Sequence, residues 1–176
     1  MKTRVATTWL GGCSGCHMSI LDMDERLFNL ADKIELVYGP LTDVKEFPEN
    51  VDITLVEGSV NNVDNEEKIC HVRGRTKILV SLGDCAVTGN VPSMRNQFTK
   101  DSVLQRAYVE QATLDKGIPD RMVPLLLPVV RPVHSVVKVD LFVPGCPPSA
   151  DVIHFALTEL LEGRMPNLTS LTRFGK

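Results

Sequence analysis

Arg4-Val5-Ala6-Thr7-Thr8-Trp9-Leu10 runs straight into Gly11-Gly12-Cys13-Ser14-Gly15-Cys16. A short apolar run stopped by glycines has the length and composition of a buried strand ending in a tight turn. Four more runs repeat the pattern. They are residues 34–38 before Gly39, 53–57 before Gly58, 77–82 before Gly83-Asp84-Cys85, and 139–143 before Pro144-Gly145-Cys146-Pro147-Pro148. Helical patterns fill the gaps. Residues 18–31 set Ile20, Leu21, Met23, Leu27, Phe28 and Ala31 at roughly helical spacing. Residues 64–73 start acidic and stop before Gly74, and residues 101–112 offer Asp101 or Ser102 as N-cap. Residues 151–161 follow Ser149 as N-cap and stop before Gly163. Strand and helix in alternation predict an α/β fold, a flavodoxin-like open parallel five-stranded sheet with helices on both faces.

The stretch from 91 to 132 is a long insertion before the last strand. Its end reads Met122-Val123-Pro124-Leu125-Leu126-Leu127-Pro128-Val129-Val130-Arg131-Pro132, and three prolines at four-residue intervals rule out a regular helix and a central strand alike. Two readings stand side by side, a loop covering the core and an apolar docking surface for another subunit.

The 176 residues are read as one domain, 1–176, with a hydrophobic share of 43%, enough to bury a core. No apolar stretch reaches the ~18 residues of a bilayer span, so no transmembrane segment is expected. The N-terminus shows neither a signal peptide nor a twin-arginine pattern, which predicts a cytoplasmic protein with reduced thiols. A net charge of −3 without basic blocks argues against nucleic acid as a partner.

Ligands of an open parallel sheet sit beyond the carboxyl ends of its strands, and four of the five cysteines fall there. Cys13 and Cys16 share one loop, while Cys85 and Cys146 come singly, each more than sixty residues further on. Structural zinc usually takes two close pairs; a cubane iron–sulfur cluster accepts four thiolates from dispersed loops. A thioredoxin-like dithiol would use Cys13-Ser14-Gly15-Cys16 alone and leave Cys85 and Cys146 unexplained. A flavin phosphate loop is a further reading of Gly11-Gly12-Cys13-Ser14-Gly15, though that run lacks the hydroxyl groups such a loop uses. Cys70 sits between Ile69 and Val72 in helical register and reads as core filler. His17 reads as packed or solvated, with a supporting or proton-carrying role behind the cysteines as the alternative; His71, His134 and His154 read as structural. Glu57 closes the third strand at the functional rim, where a carboxylate suits proton relay or partner contact.

Cys13-Ser14-Gly15-Cys16, Glu57-Gly58-Ser59-Val60, Gly83-Asp84-Cys85-Ala86 and Pro144-Gly145-Cys146-Pro147-Pro148, in this order, resemble the small subunit of nickel–iron hydrogenases over nearly the whole chain. The resemblance implies that Cys13, Cys16, Cys85 and Cys146 hold one proximal 4Fe–4S cluster. It also implies a partner large subunit bearing the Ni–Fe centre. Within the family the chain looks most like the soluble bidirectional NAD-reducing type, because no cysteine or histidine follows His154 to hold further clusters. That likeness implies an electron-transfer subunit of a hydrogen:NAD oxidoreductase, with FMN and NAD on a partner diaphorase module. The chain departs from the family at His17 and Met18, where many members carry serine and glutamate, so a proton route through that glutamate does not transfer. The cluster-bearing quinone-module subunit of complex I shares the pattern but has adjacent cysteines. A membrane-bound energy-converting hydrogenase would carry a similar single-cluster subunit.

Overall fold

The computed structural model describes residues 2–172. All five apolar runs become strands of one parallel sheet: β1 (Thr3–Trp9), β2 (Ile34–Tyr38), β3 (Val51–Glu57), β5 (Thr76–Leu82) and β7 (Leu141–Val143). A short strand, β4 (Val60–Asn62), and a longer one, β6 (Leu126–Arg131), lie outside it. The sheet order is β2-β1-β3-β5-β7, with every neighbouring pair parallel. The chain reverses direction across the sheet between β1 and β3, the switch point at which open α/β sheets bind ligands.

Each face of the sheet has its own core. Val5, Ile53, Leu55, Val80, Leu82 and Val143 point to one face and meet Met23, Leu30, Ile153, Leu157 and Leu160. Ala6, Val56 and Leu79 point to the other and meet Ile69, Val72, Ala86 and Val133. The helices of the chain are α1 (Gly15–Leu21), α2 (Arg26–Ala31), α3 (Val63–Gly74), α4 (Asp84–Thr88), α5 (Lys100–Gln105) and α6 (Ala150–Leu161). Central β3 is buried at every position but Asp52, as a strand covered on both sides must be. Among the described residues no helix is long and apolar enough to cross a membrane.

Three local expectations need correction. The single helix over 18–31 is two helices, broken at a turn where Asp24 takes φ +48°. Asp22, Asp24 and Glu25 crowd the end of α1, where the helix dipole is negative, and aspartate tolerates the left-handed turn. Met23 keeps its apolar register by dropping into the core from that turn, 1% exposed. Second, α5 begins a residue early, capped by Thr99, which accepts the Ser102 N–H, and passes into a π-turn over Arg106–Glu110. Third, the proline-rich stretch is, as its prolines require, neither helix nor central strand, but it is not all loop: it contains β6, which pairs antiparallel with β4 in a separate ribbon. An edge position tolerates Pro128 because no ladder N–H is required of it there.

That ribbon divides the two readings of its sequence between its faces. Val130 is buried and Leu127 packs on the core, while Met122, Val123, Leu125 and Val129 are exposed. More apolar surface lies beside the cysteine loops, at Met18, Val91 and Met94. Exposed apolar area of this kind marks a surface made to be covered. The chain expressed alone is expected to bind a hydrophobic dye strongly, and co-expression with a hydrogenase large subunit to suppress the signal. A dye-silent, well-dispersed free monomer would remove the docking role.

Candidate functional site

The loops after β1 and β3 are laced together by their main chains. Leu10 N–H donates to Glu57 O at 2.8 Å, Gly11 N–H to Ser59 O at 2.9 Å, and Ser59 N–H to Gly11 O at 2.8 Å. Gly58 makes this approach possible: at φ +88°, a Cβ would stand 3.0 Å from the Gly11 backbone. From this seam the chain enters Cys13-Ser14-Gly15-Cys16 and α1.

The loops after β5 and β7 are joined in a similar way. Gly83 N–H donates to Val143 O and Asp84 N–H to Gly145 O, each at 2.8 Å. The Asp84 carboxylate accepts the Gly145 N–H at 2.7 Å. The Ser19 hydroxyl then donates to Pro148 O at 2.5 Å, tying α1 to the last loop. Gly83, at φ +81°, lies so close to Cys16 that a Cβ would fall 2.2 Å from its Sγ.

All four rim cysteines are free thiols; Cys16 is buried, Cys85 half-buried, and Cys13 and Cys146 exposed. Burial pushes the Cys16 thiol strongly up, and the Glu57 carboxylate, Cys85, Cys13 and Cys146 push it the same way. Burial also raises Cys85, with Cys146, Cys13 and Glu57 adding to it and a hydrogen bond from Asn90 opposing. The Asn90 amide donates to Cys146 Sγ at 3.4 Å. These mutual effects put the four sulfurs within electrostatic reach of one another. A dithiol made of Cys13 and Cys16 alone would leave the neighbouring Cys85 and Cys146 without a part. A cationic metal centre deprotonates its thiol ligands outright and would offset the cost of a thiolate at Cys16 and Cys85. Among the described residues no three His, Cys, Asp or Glu side chains close on a single ion position. Four thiols delivered from three separate loops are the kind of donor set that iron–sulfur chemistry uses.

Glu57 ends β3 with only 2% exposure. Its Oε2 accepts the main-chain N–H of His17 at 2.9 Å and meets His17 Nδ1 at 2.5 Å. So enclosed, it presents no surface for the partner contact that was its alternative role. His17 is packed, its ring edge-on to Trp9 with centroids 5.2 Å apart. His71 and His134 are exposed, His134 lying against the Phe142 ring, and His154 is half-buried on α6.

Cys70 is not core filler. It is exposed on α3 and borders a hollow with Glu49, Asn50 and Arg75, at the opposite end of the sheet from the four thiols. Its α3 neighbours Ile69 and Val72 turn inward, leaving position 70 on the outer face. Cys70→Ala is expected to shift stability by no more than about 0.5 kcal/mol, as for ordinary surface changes. A larger loss on thermal or denaturant unfolding would contradict that placement.

Asp84, Ser19 and Asn90 have roles that the sequence does not announce. An acid beside Cys85 at the end of a buried strand is a visible signal for Asp84. Its partner Gly145 lies 61 residues away and no spacing rule reaches it.

The family model described as NADH ubiquinone oxidoreductase, 20 Kd subunit, matches residues 13–160. The NAD-reducing hydrogenase HoxS subunit delta of Cupriavidus necator is 46% identical over 176 residues, covering 96% of this chain and 83% of that protein. A subunit of the F420-non-reducing hydrogenase vhu of Methanocaldococcus jannaschii is 38% identical over 96% of this chain, which spans 59% of that longer protein. Among solved structures, an NAD+-reducing [NiFe]-hydrogenase in the H2-reduced state superposes with a TM-score of 0.94 at 43% identity, covering 99% of both chains. A [NiFeSe]-hydrogenase of Dm. baculatum, at 19% identity and a TM-score of 0.63, shares the fold.

Proposed function

The chain belongs to the NADH ubiquinone oxidoreductase 20 Kd subunit family, and from that membership we propose that it is the electron-transfer small subunit of a NAD-reducing nickel–iron hydrogenase. Residues 1–176 act as one iron–sulfur domain. It relays electrons between a large subunit carrying the Ni–Fe centre and a diaphorase module carrying FMN and NAD, in the cytoplasm. The similarity to the HoxS delta subunit over most of both chains supports this reading over a complex I or membrane-bound role. The observation that carries it is the placement of Cys13, Cys16, Cys85 and Cys146 on the loops that follow β1, β5 and β7, at one rim of the sheet.

Those four cysteines would hold one 4Fe–4S cluster, which supplies one-electron transfer when bound. The rest of the site prepares its surroundings. Gly83 leaves the space that Cys16 Sγ occupies. Asn90 donates a hydrogen bond at the Cys146 sulfur, a contact of the kind that tunes cluster potential. Pro147 follows Cys146 with hydrocarbon and no N–H. Asp84 ties the Cys85 and Cys146 loops to each other. Glu57 is the proton-handling candidate at the rim, among the described residues the only acid that ends a strand of the sheet there.

Iron and acid-labile sulfide analysis of the complex with its large subunit, with EPR after reduction, tests the reading. About four irons for this chain's site are expected, the content of one [4Fe–4S] cluster. Zinc in stoichiometric amount, or a metal-free dithiol, would overturn it.

A further inference from the structure

The first turn of α1 receives no cap from its own sequence. Ser14 holds the N-cap position in the left-handed region, φ 67°, and its hydroxyl makes no capping bond; the first turn also lacks an acidic residue. Free N–H groups at a helix start need an acceptor from somewhere. Here one arrives from β3, forty residues on, where Glu57 Oε2 accepts the main-chain N–H of His17. The same oxygen meets Nδ1 of the His17 ring. A single carboxylate oxygen thus grips main chain and side chain of the residue directly after Cys16. Cys16, His17 and Glu57 are all buried, at 8%, 9% and 2% exposure. The Trp9 ring meets the His17 ring edge-on, and Gly83 packs against Cys16 Sγ with no space to spare.

We propose that Glu57 is a positioning residue for Cys16. It caps α1 from across the sheet, and its hold on His17 fixes the direction from which the Cys16 sulfur reaches its metal. The proposal rests on the assignment of Cys16 as a cluster ligand. It is independent of any proton that Glu57 transfers, because the cap requires only an acceptor oxygen at that point. A carbonyl oxygen there serves as well as a carboxylate oxygen; a shorter or apolar side chain does not.

The test compares wild type with Glu57→Leu, Glu57→Asp and Glu57→Gln in the assembled complex, reading iron content and the g-values of the reduced cluster. Glu57→Leu keeps bulk without an acceptor and is expected to lose iron or shift the g-values. Glu57→Asp keeps the charge but withdraws the oxygen by one methylene, and a g-value shift is expected again. Glu57→Gln restores the acceptor and is expected to return wild-type g-values. Wild-type g-values and iron in Glu57→Asp would overturn the proposal even if Glu57→Leu fails to fold. A wild-type complex with no cluster on this chain would instead overturn the ligand assignment beneath it.

Discussion

Alanine at Cys13, Cys16, Cys85 or Cys146, introduced singly, is expected to remove or degrade the cluster signal and abolish dihydrogen-dependent NAD reduction. The loss should exceed the ~10–100-fold typical of removing an outer-shell partner of a metal site, because a ligand itself is missing. The four positions are not equivalent. Cys13 and Cys146 are exposed, so their removal also opens a corner of the site to water; Cys16 is buried against Gly83, and its removal leaves a gap. Oxidation of NADH by artificial dyes, the reaction expected of the proposed diaphorase module by itself, should survive all four substitutions. Cys70→Ala, at the far end of the sheet, should keep both activities and the full iron content. If Cys70→Ala lost the cluster while one of the four retained it, the ligand assignment would be wrong.

The strand framework was legible because buried parallel strands announce themselves by unbroken apolar runs, and each run here stops at a glycine. The four cysteines were legible for a related reason: strand ends are the one place where such a sheet binds ligands, so their location was fixed once the strands were. What stayed hidden depended on partners distant in sequence. The break between α1 and α2 follows from Met23 finding the core out of a turn, and an apolar residue at that spacing looks helical in either case. Cys70 lies close to apolar Ile69 and Val72, yet a helix turns 100° per residue and those two can face inward while position 70 does not. Pro128 was compatible with an edge strand, but only the presence of β4 as a partner makes it one. The grip of Glu57 on His17 and of Asp84 on Gly145 spans 40 and 61 residues. Neither pairing leaves a local trace, although the acids themselves stood out at the ends of apolar strands.

Glu57→Gln separates proton traffic from electron traffic. Glutamine matches glutamate in length and offers an acceptor oxygen to His17, so cluster content and EPR should not change. It cannot cycle a proton. If Glu57 handles protons at the rim, hydrogen turnover is expected to fall by ~10²-fold or more, the cost of losing one acid–base step. The deficit should appear in dihydrogen–deuterium exchange as well as in NAD reduction, because exchange needs proton movement but no electron export. A defect confined to NAD reduction would instead locate the damage on the electron path. At 2% exposure and bonded to His17 through Oε2, the carboxylate is shielded from bulk water, so the expected loss concerns internal proton movement rather than exchange with solvent. Unchanged turnover in Glu57→Gln, with the complex intact, would leave Glu57 as the cap of α1 and nothing more.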